Sequence, residues 1–391
     1  MKFDTVIVGA GLAGLYMGSK LSGAGQRVCI VDRRALIGEP VRCGEATGNR
    51  AELSRFLSID EDWIACNIQG LSMHLNGTGV AKRAVRDAGV VLHRDRLERS
   101  LAKKAVASGA QLRLNTTVTG LLPGNSSAWS GVVLESGEII TADVIVGADG
   151  PESRVGQWAG LTKSLSLNEV ASAVEYRVES DFCNDGYLHF FTGSQHIDSG
   201  YIWVFPKEDK TILVGAALYH PKAGSPRAQH YLHYFMEKYL PGAKKQQLIT
   251  GSIPICVSPV KLANKNVLII GDAARQCNPL TAGGIMNALE AADYAVESIK
   301  NFPKKGQKAF KVYSQKWRKN QRRQQKLFLL LREIMVNSTD TQLSAMYQKI
   351  SHLSNSFKHR VKPFTIPLIP LFSFLVAVAP KFLKHRKCLR G

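Results

Sequence analysis

Apolar residues gather in short unbroken runs at three places: Val6-Ile7-Val8, Val144-Ile145-Val146 and Val267-Leu268-Ile269-Ile270. Each is followed at once by glycine, at Gly9, Gly147 and Gly271. Runs this short, apolar on every residue and closed by a turn, predict strands buried on both faces. Helical spacing follows the first over Leu15 to Ala24 and the third over Ile285 to Asn301, and Arg27 to Val31 reads as a further strand. A helix over Leu97 to Ser108 stops at Gly109. Gln111 to Val118 alternates and predicts one strand, and Ser130 to Leu134 with Glu138 to Thr141 flank a Ser136-Gly137 turn as a hairpin. From Val170 to Ala217 the pattern is strands bearing Tyr176, Tyr187, Phe190, Phe191, Tyr201, Trp203 and Phe205, hence an antiparallel sheet. Its aromatic face either walls an apolar cavity or fills a core. Gln229 to Leu240 reads as a helix ended by Pro241-Gly242, and residues 51–89 open a second domain.

The first run enters Gly9-Ala10-Gly11-Leu12-Ala13-Gly14, a G-x-G-x-x-G turn between strand and helix. Gly9 allows the tight turn, Gly11 lets backbone approach a pyrophosphate, and Gly14 lets helix pack on strand. The helix start offers free N–H groups to the anion. Asp32 ends the second strand at the spacing of a ribose-binding acid. Arg33 and Arg34 follow, either tolerating a 2′-phosphate or simply solvated. The third run, with the loop Asn278 to Gly284 and the helix after it, again turns backbone N–H groups toward an anion.

Composition adds two constraints. The chain has 391 residues, enough for more than one domain, and seven scattered cysteines without a C-x-x-C, which suits a reducing compartment and predicts neither disulfide framework nor metal site. No signal-peptide pattern opens the chain, so a cytoplasmic protein is expected. Net charge is +20, and Lys300 to Lys326 holds no acid. Pro363 to Pro380 carries no charge and is bracketed by His359, Arg360 and Lys362 before, and Lys381, Lys384, Arg386 and Lys387 after. Three prolines in its first half and positive flanks on both sides oppose a simple crossing, so residues 300–326 and 359–387 are expected to hold the protein peripherally on an anionic membrane surface. A terminal helix packed on the protein itself is the alternative.

The loop Pro40-Val41-Arg42-Cys43-Gly44-Glu45 places a thiol between opposite charges. A neighbouring arginine lowers a thiol pKa and a neighbouring glutamate raises it; a buried, inert cysteine is the competing reading.

The opening fingerprint, Ala148-Asp149-Gly150 and Gly271-Asp272 together resemble the FAD-dependent oxidoreductases of the para-hydroxybenzoate hydroxylase type. Pro40 to Glu45 is similar to the P-x-x-C-G-E element of geranylgeranyl reductases, and Tyr201-Ile202-Trp203-Val204-Phe205-Pro206 to that family's Y-x-W-x-F-P. The resemblance covers residues 1–300. Asp198 replaces the proline that precedes the tyrosine in archaeal forms, and Leu213-Val214-Gly215 stands for the family's N-V-G.

The resemblance implies an α/β fold: a Rossmann-type FAD-binding domain over 1–165, interrupted near 51–89 by part of the substrate domain and completed by 263–301; an antiparallel β-sheet substrate domain over 166–262; and a basic helical C-terminal region over 302–391. It implies that Gly9, Gly11, Gly14, Asp32 and Arg33 hold the adenosine diphosphate half of FAD. Arg94, Asp149, Gly150, Gly271 and Asp272 serve its phosphate and ribityl parts, and Gly283 and Gly284 approach the isoalloxazine. Cys43 lies over the flavin and assists protonation, with Glu45 as second acid. Tyr201, Trp203 and Phe205 line a prenyl cavity. The implied activity is reduction of geranylgeranyl-type double bonds in a prenyl lipid or prenyl diphosphate. With one dinucleotide fingerprint, the reductant is a visiting NAD(P)H or a protein electron donor. A monooxygenase of the same fold is the first rival; the W-x-W-x-I-P of flavin halogenases is only loosely echoed. A basic nucleic-acid-binding protein is the rival of another class, and no nucleic acid is expected.

Overall fold

The computed structural model describes residues 2–124, 128–208, 210–220 and 224–356. The apolar segment 363–380 and the cations over 359–387 lie outside the described residues. In chain order the strands are β1 (Lys2–Val8), β2 (Val28–Val31), β3 (Ala46–Thr47), β4 (Ile64–Leu75), β5 (Thr78–Leu92), β6 (Gln111–Arg113), β7 (Val118–Pro123), β8 (Trp129–Leu134), β9 (Ile139–Gly147), β10 (Val170–Glu179), β11 (Tyr187–Thr192), β12 (Gly200–Glu208), β13 (Thr211–Tyr219), β14 (Lys244–Pro254), β15 (Ala263–Asn264) and β16 (Val267–Ile269). The helices are α1 (Leu12–Ser22), α2 (Arg50–Leu53), α3 (Arg94–Ala107), α4 (Arg154–Trp158), α5 (Ala228–Tyr239), α6 (Ile285–Lys300), α7 (Phe302–Lys305), α8 (Lys308–Trp317), α9 (Arg323–Val336) and α10 (Asp340–Ser356).

Val6, Ile7, Ile145, Val146 and Val267 to Ile269 are closed to solvent, as all-apolar strands must be. They form the middle of one sheet, ordered β15-β16-β9-β1-β2-β6, with β7 and β8 attached at β9. β1 runs parallel to β2 and β9, and β9 parallel to β16. The carboxyl ends of β1, β9 and β16 therefore lie side by side, and ligands bind such sheets outside those ends. The loops there touch: a Cβ on Gly9 would come 2.2 Å from the Ala148 carbonyl oxygen, and one on Gly271 would lie 3.5 Å from Ala13 Cβ.

The second sheet is ordered β14-β10-β13-β12-β11-β4-β5-β3. It is antiparallel except for β11 beside β4, because β4 and β5 arrive from the segment near 51–89 rather than by a hairpin. Val174, Tyr176, Val178, Ile202 and Val204 face α5, whose Tyr231, Leu232, Phe235 and Met236 cover them. The opposite face, carrying Tyr201, Trp203 and Phe205, turns toward the cofactor-side loops.

One expectation changes. The single strand over 111–118 is two: Gln111–Arg113 extends the parallel sheet beside β2, whereas Val118–Pro123 pairs antiparallel with β8. The chain turns between them at Asn115, whose φ of 48° is left-handed backbone. The basic helices after residue 302 pack against the first sheet's core. Phe310, Tyr313 and Trp317 of α8 belong to the main core, and the Tyr313 hydroxyl donates to the Ile269 carbonyl at 2.8 Å. A π turn over Arg318–Arg322 joins α8 to α9. Among the described residues no helix is long and apolar enough to cross a membrane.

Candidate active site

Gly11 begins α1 with no side-chain cap, and a Cβ there would meet nothing within 4 Å. An open concavity in front of uncapped helix N–H groups is the shape that a pyrophosphate fills. Gly14 has the opposite setting: its Cβ would lie 2.0 Å from the Gly9 carbonyl oxygen, so only glycine lets α1 lie on β1. The Asp32 carboxylate accepts from the Ala10 N–H at 2.7 Å and is paired with Arg34 at 3.0 Å. Burial opposes its charge, but the bonds and charge of Arg34 outweigh this and hold its pKa below the ordinary carboxylate range.

Arg94 opens α3 and reaches three ways. One guanidinium nitrogen lies 3.5 Å from Cys43 Sγ, another donates to Glu98 at 2.6 Å, and the backbone N–H donates to Glu45 Oε1 at 2.9 Å. Glu98 is also 3.6 Å from Arg34. A chain of polar contacts thus runs from Asp32 through Arg34, Glu98 and Arg94 to the thiol. Burial pushes the Cys43 thiol above its usual range, and the Arg94 charge offsets only part of that. That direction favours the neutral thiol over the thiolate at Cys43.

Glu45, at φ 60°, uses both carboxylate oxygens: Oε1 on Arg94 and Oε2 on the Lys207 ammonium. The second acid expected beside Cys43 is therefore an anchored carboxylate. Asp149 caps α4, accepting from Ser153 at 2.6 Å and Val155 at 3.0 Å, and Gly150 beside it has φ +85°. Burial raises the Asp149 pKa. Asp272 is raised by burial as well, with Arg94 pulling the other way, and its carboxylate makes no hydrogen bond to a described residue. Gly284 starts α6 against it, a Cβ there lying 3.7 Å from Asp272 Oδ1, and Gly283 is one residue before.

The aromatic face closes the other side. A Cβ on Gly44 would lie 3.4 Å from both Phe205 and the Trp203 indole nitrogen, so the cysteine loop rests on those rings. Trp203 and Phe205 are buried; Tyr201 is half-buried, and its hydroxyl donates to the Thr281 carbonyl at 2.8 Å. Tyr219 donates likewise to Leu280 at 2.8 Å, and Arg332 of α9 bonds the Pro279 carbonyl at 3.2 Å. The loop 278–284 is thus held by the second sheet and by the C-terminal helices. A separate cavity of about 740 Å³ opens beside the cysteine loop, lined by Arg34, Pro40, Glu45, Asp95, Arg177 and Leu213 among others. Cys43 and the aromatic rings do not line it, so the chemistry is assigned to the junction of loop and rings and not to this larger space.

The structure brings Gly9, Gly11, Gly14, Asp32, Arg94, Asp149, Gly150, Gly271, Asp272, Gly283, Gly284, Cys43 and the three aromatics to one end of the two sheets. Arg33 is exposed and stands apart from the cluster, while Arg34 bonds Asp32. Sequence reasoning missed Glu98, Glu175 and Lys207, and did not foresee that Arg34 pairs with Asp32. Glu98 had a signal, four residues after Arg94 on a predicted helix; Glu175 and Lys207 had none, being polar positions in strands. FAD fits these residues: the open space at Gly11, the Asp272 carboxylate and an Arg94 Nε that is buried with no hydrogen-bond partner among the described residues are groups that would hold it. Among the described residues no cluster could hold a metal ion.

Comparison with known proteins agrees with this geometry. Residues 4–376 match the family model described as lycopene cyclase protein. A digeranylgeranylglycerophospholipid reductase of Methanosarcina acetivorans is 30% identical over 363 residues, covering 90% of this chain and 89% of that protein. One of Methanosarcina mazei is 31% identical over 357 residues, covering 88% of each. The crystal structure of a geranylgeranyl bacteriochlorophyll reductase-like protein from Thermoplasma acidophilum superposes with a TM-score of 0.84 at 26% identity, covering 98% of both chains. A p-nitrophenol 4-monooxygenase from Pseudomonas putida shares the fold, with a TM-score of 0.73 at 19% identity over 95% of this chain and 98% of that one. These matches extend well past residue 300, as the packing of α8 and α9 requires. The chain belongs to the lycopene cyclase family, and within the FAD-dependent oxidoreductases it is a member of the geranylgeranyl reductase group.

Proposed function

We propose that this flavoenzyme reduces isolated double bonds in a geranylgeranyl-type chain, and that the chain is carried on a glycerophospholipid. The observation that carries the reading is the meeting of a neutral thiol, Cys43, with an aromatic wall at the mouth of the FAD cradle. When bound, FAD supplies the hydride. An alkene without activating groups accepts hydride poorly, so alignment and a ready proton carry much of the rate. Trp203, Phe205 and Tyr201 hold the apolar chain and exclude water. Cys43 holds the proton at Sγ, and Arg94 fixes the thiol's position. Glu45 and Lys207 lock the loop. Asp272, Gly283 and Gly284 orient the cofactor from the opposite side. The names of the relatives support the phospholipid carrier.

The reductant is a visiting NAD(P)H or an electron-transfer protein. The cations of residues 300–326, on the outer sides of α8 and α9, draw the protein to anionic lipid as a peripheral protein. A phospholipid substrate gives that attraction a purpose.

Anaerobic reoxidation tests the reading. The flavin is reduced under argon and mixed with a geranylgeranyl phospholipid. Return of the oxidised flavin spectrum, with product two mass units heavier per bond reduced, is the expected result. Reoxidation only when oxygen is admitted, with an oxygenated product, would make the protein a monooxygenase.

A further inference from the structure

Glu175 is a buried acid with one oxygen left over. It faces inward from β10, in a row with Gly215 of β13 and Trp203 of β12. A Cβ on Gly215 would lie 2.1 Å from the indole, so the missing side chain is what lets the ring cross that strand. The indole N–H then donates to Glu175 Oε2 at 2.9 Å. Oε1 is closed to solvent and has no hydrogen-bond partner among the described residues. The carboxyl also lies against the cysteine loop: a Cβ on Gly44, next to Cys43, would be 3.5 Å from Oε2.

The charged and titratable groups around it are Cys43 and Glu45 from the loop, Lys207 from β12 and Arg177 from its own strand. Lys207 is bonded to Glu45 and to the Leu92 carbonyl at 3.2 Å, and among the described residues no cation is bonded to Glu175. A buried carboxylate with an unpaired oxygen and a carboxylate neighbour is costly; a carboxylic acid in the same place is not.

We propose that Glu175 is the proton reserve of the reduction, held in position by Trp203 and replacing the proton that leaves Cys43. This rests on the prenyl-reductase reading. The hydride would come from reduced FAD, which would be oxidised in supplying it. One alkene carbon gains that hydride, and its neighbour gains the Cys43 proton. The π bond breaks, two C–H bonds form, and the Glu175 proton restores the thiol. Glu175 is left as carboxylate and takes a proton from water after product leaves. Burial and the Glu45 charge, opposed by the Trp203 bond, push the Glu175 pKa up to about 8, which keeps the reserve filled at neutral pH. The Trp203 indole then has a physical task, holding Glu175, and Glu175 acts on the substrate only through the thiol.

The test uses the flavin-loaded protein and E175Q, which keeps an oxygen for the indole. At pH 7 the wild-type infrared spectrum is expected to show a carboxylic acid C=O band that E175Q lacks; absence of such a band overturns the proposal. E175Q is expected to bind flavin and to be reduced by dithionite as wild type is. Its anaerobic reoxidation by geranylgeranyl phospholipid is expected to be slower by about a hundredfold, and to lose the wild-type fall in rate on the alkaline side. A wild-type rate and pH profile overturns the role. If E175Q does not fold, W203F carries the test: it removes the bond that favours the carboxylate, so the midpoint of the infrared band moves to higher pH, and an unmoved midpoint overturns the proposal. If prenyl lipid fails to reoxidise the wild-type flavin, the reductase reading itself falls, and the role falls with it.

Discussion

Lys207 and Glu45 form an ion pair in which both side chains are shut off from solvent, 0% and 2% exposed, and which ties the second sheet to the loop that bears Cys43. Breaking one side of such a pair leaves the other charge buried and alone, which costs about 3–5 kcal/mol. Lys207→Met is therefore expected to destabilise the protein by about that amount. The double variant E45Q/K207M is expected to recover part of it, because no uncompensated charge remains. Denaturant unfolding of the two single variants and the double gives the coupling directly. Additive losses would mean that the pair does not act as a unit.

Gly11 and Gly14 belong to one fingerprint but answer to different forces. G11A adds a methyl group to open space in the cradle, so the apoprotein is expected to melt at the wild-type temperature while FAD affinity falls by about tenfold or more, equal to about 1.4 kcal/mol. G14A drives a methyl group into the Gly9 carbonyl, and the expected result is overpacking that costs about 1–3 kcal/mol in unfolding experiments without cofactor. Equal behaviour of the two variants would remove the distinction between a ligand-facing and a packing glycine.

The same distinction is expected from the sequence, because the G-x-G-x-x-G spacing assigns a task to each position. The central strands were legible too, since Val6 to Val8, Val144 to Val146 and Val267 to Ile270 are apolar on every residue. The partners of Cys43 were not. Its local neighbours, Arg42 and Glu45, suggested a contest of charges along the chain. The fold settles it with Arg94, 51 residues away, and with burial, neither of which local sequence encodes. Glu175 and Lys207 occupy strand positions where a polar residue ordinarily marks the solvent side. Both point inward because each has a partner from another segment, Trp203 for one and Glu45 for the other. The split of the strand expected over 111–118 escaped notice because alternation persists across the bend, although Leu114 to Thr117 pair with neither neighbouring strand.

Cys43 is expected to behave as a protonated thiol. Alkylation by iodoacetamide is expected to be slow at pH 7 and to accelerate only above the ordinary thiol pKa, because burial raises the value. Arg94 is the opposing influence, so R94Q is expected to slow alkylation at a given pH further. Faster labelling in R94Q would mean that the guanidinium shields the sulfur instead of stabilising the thiolate. C43S is expected to retain FAD and lose turnover, since serine keeps the size and gives up the transferable proton at a useful pKa.

Glu175 makes stability depend on pH in a direction unusual for a carboxyl group. Its pKa in the folded protein is raised to about 8, above the value of about 4.3 of a free glutamate. Below the lower value both states are protonated, and the group's contribution is fully present. Between the two the folded state keeps the proton that the unfolded state has released, so stability falls as pH rises, by at most about 1.4 kcal/mol per unit for this group. Above the folded value nothing further is lost. Glu175→Gln removes the titration, so the stability of E175Q relative to wild type is expected to climb from pH 5 to pH 8 and then level off. Thermal or denaturant unfolding of both proteins across that range measures it, with oppositely directed or flat differences marking Glu175 as a carboxylate in the folded protein.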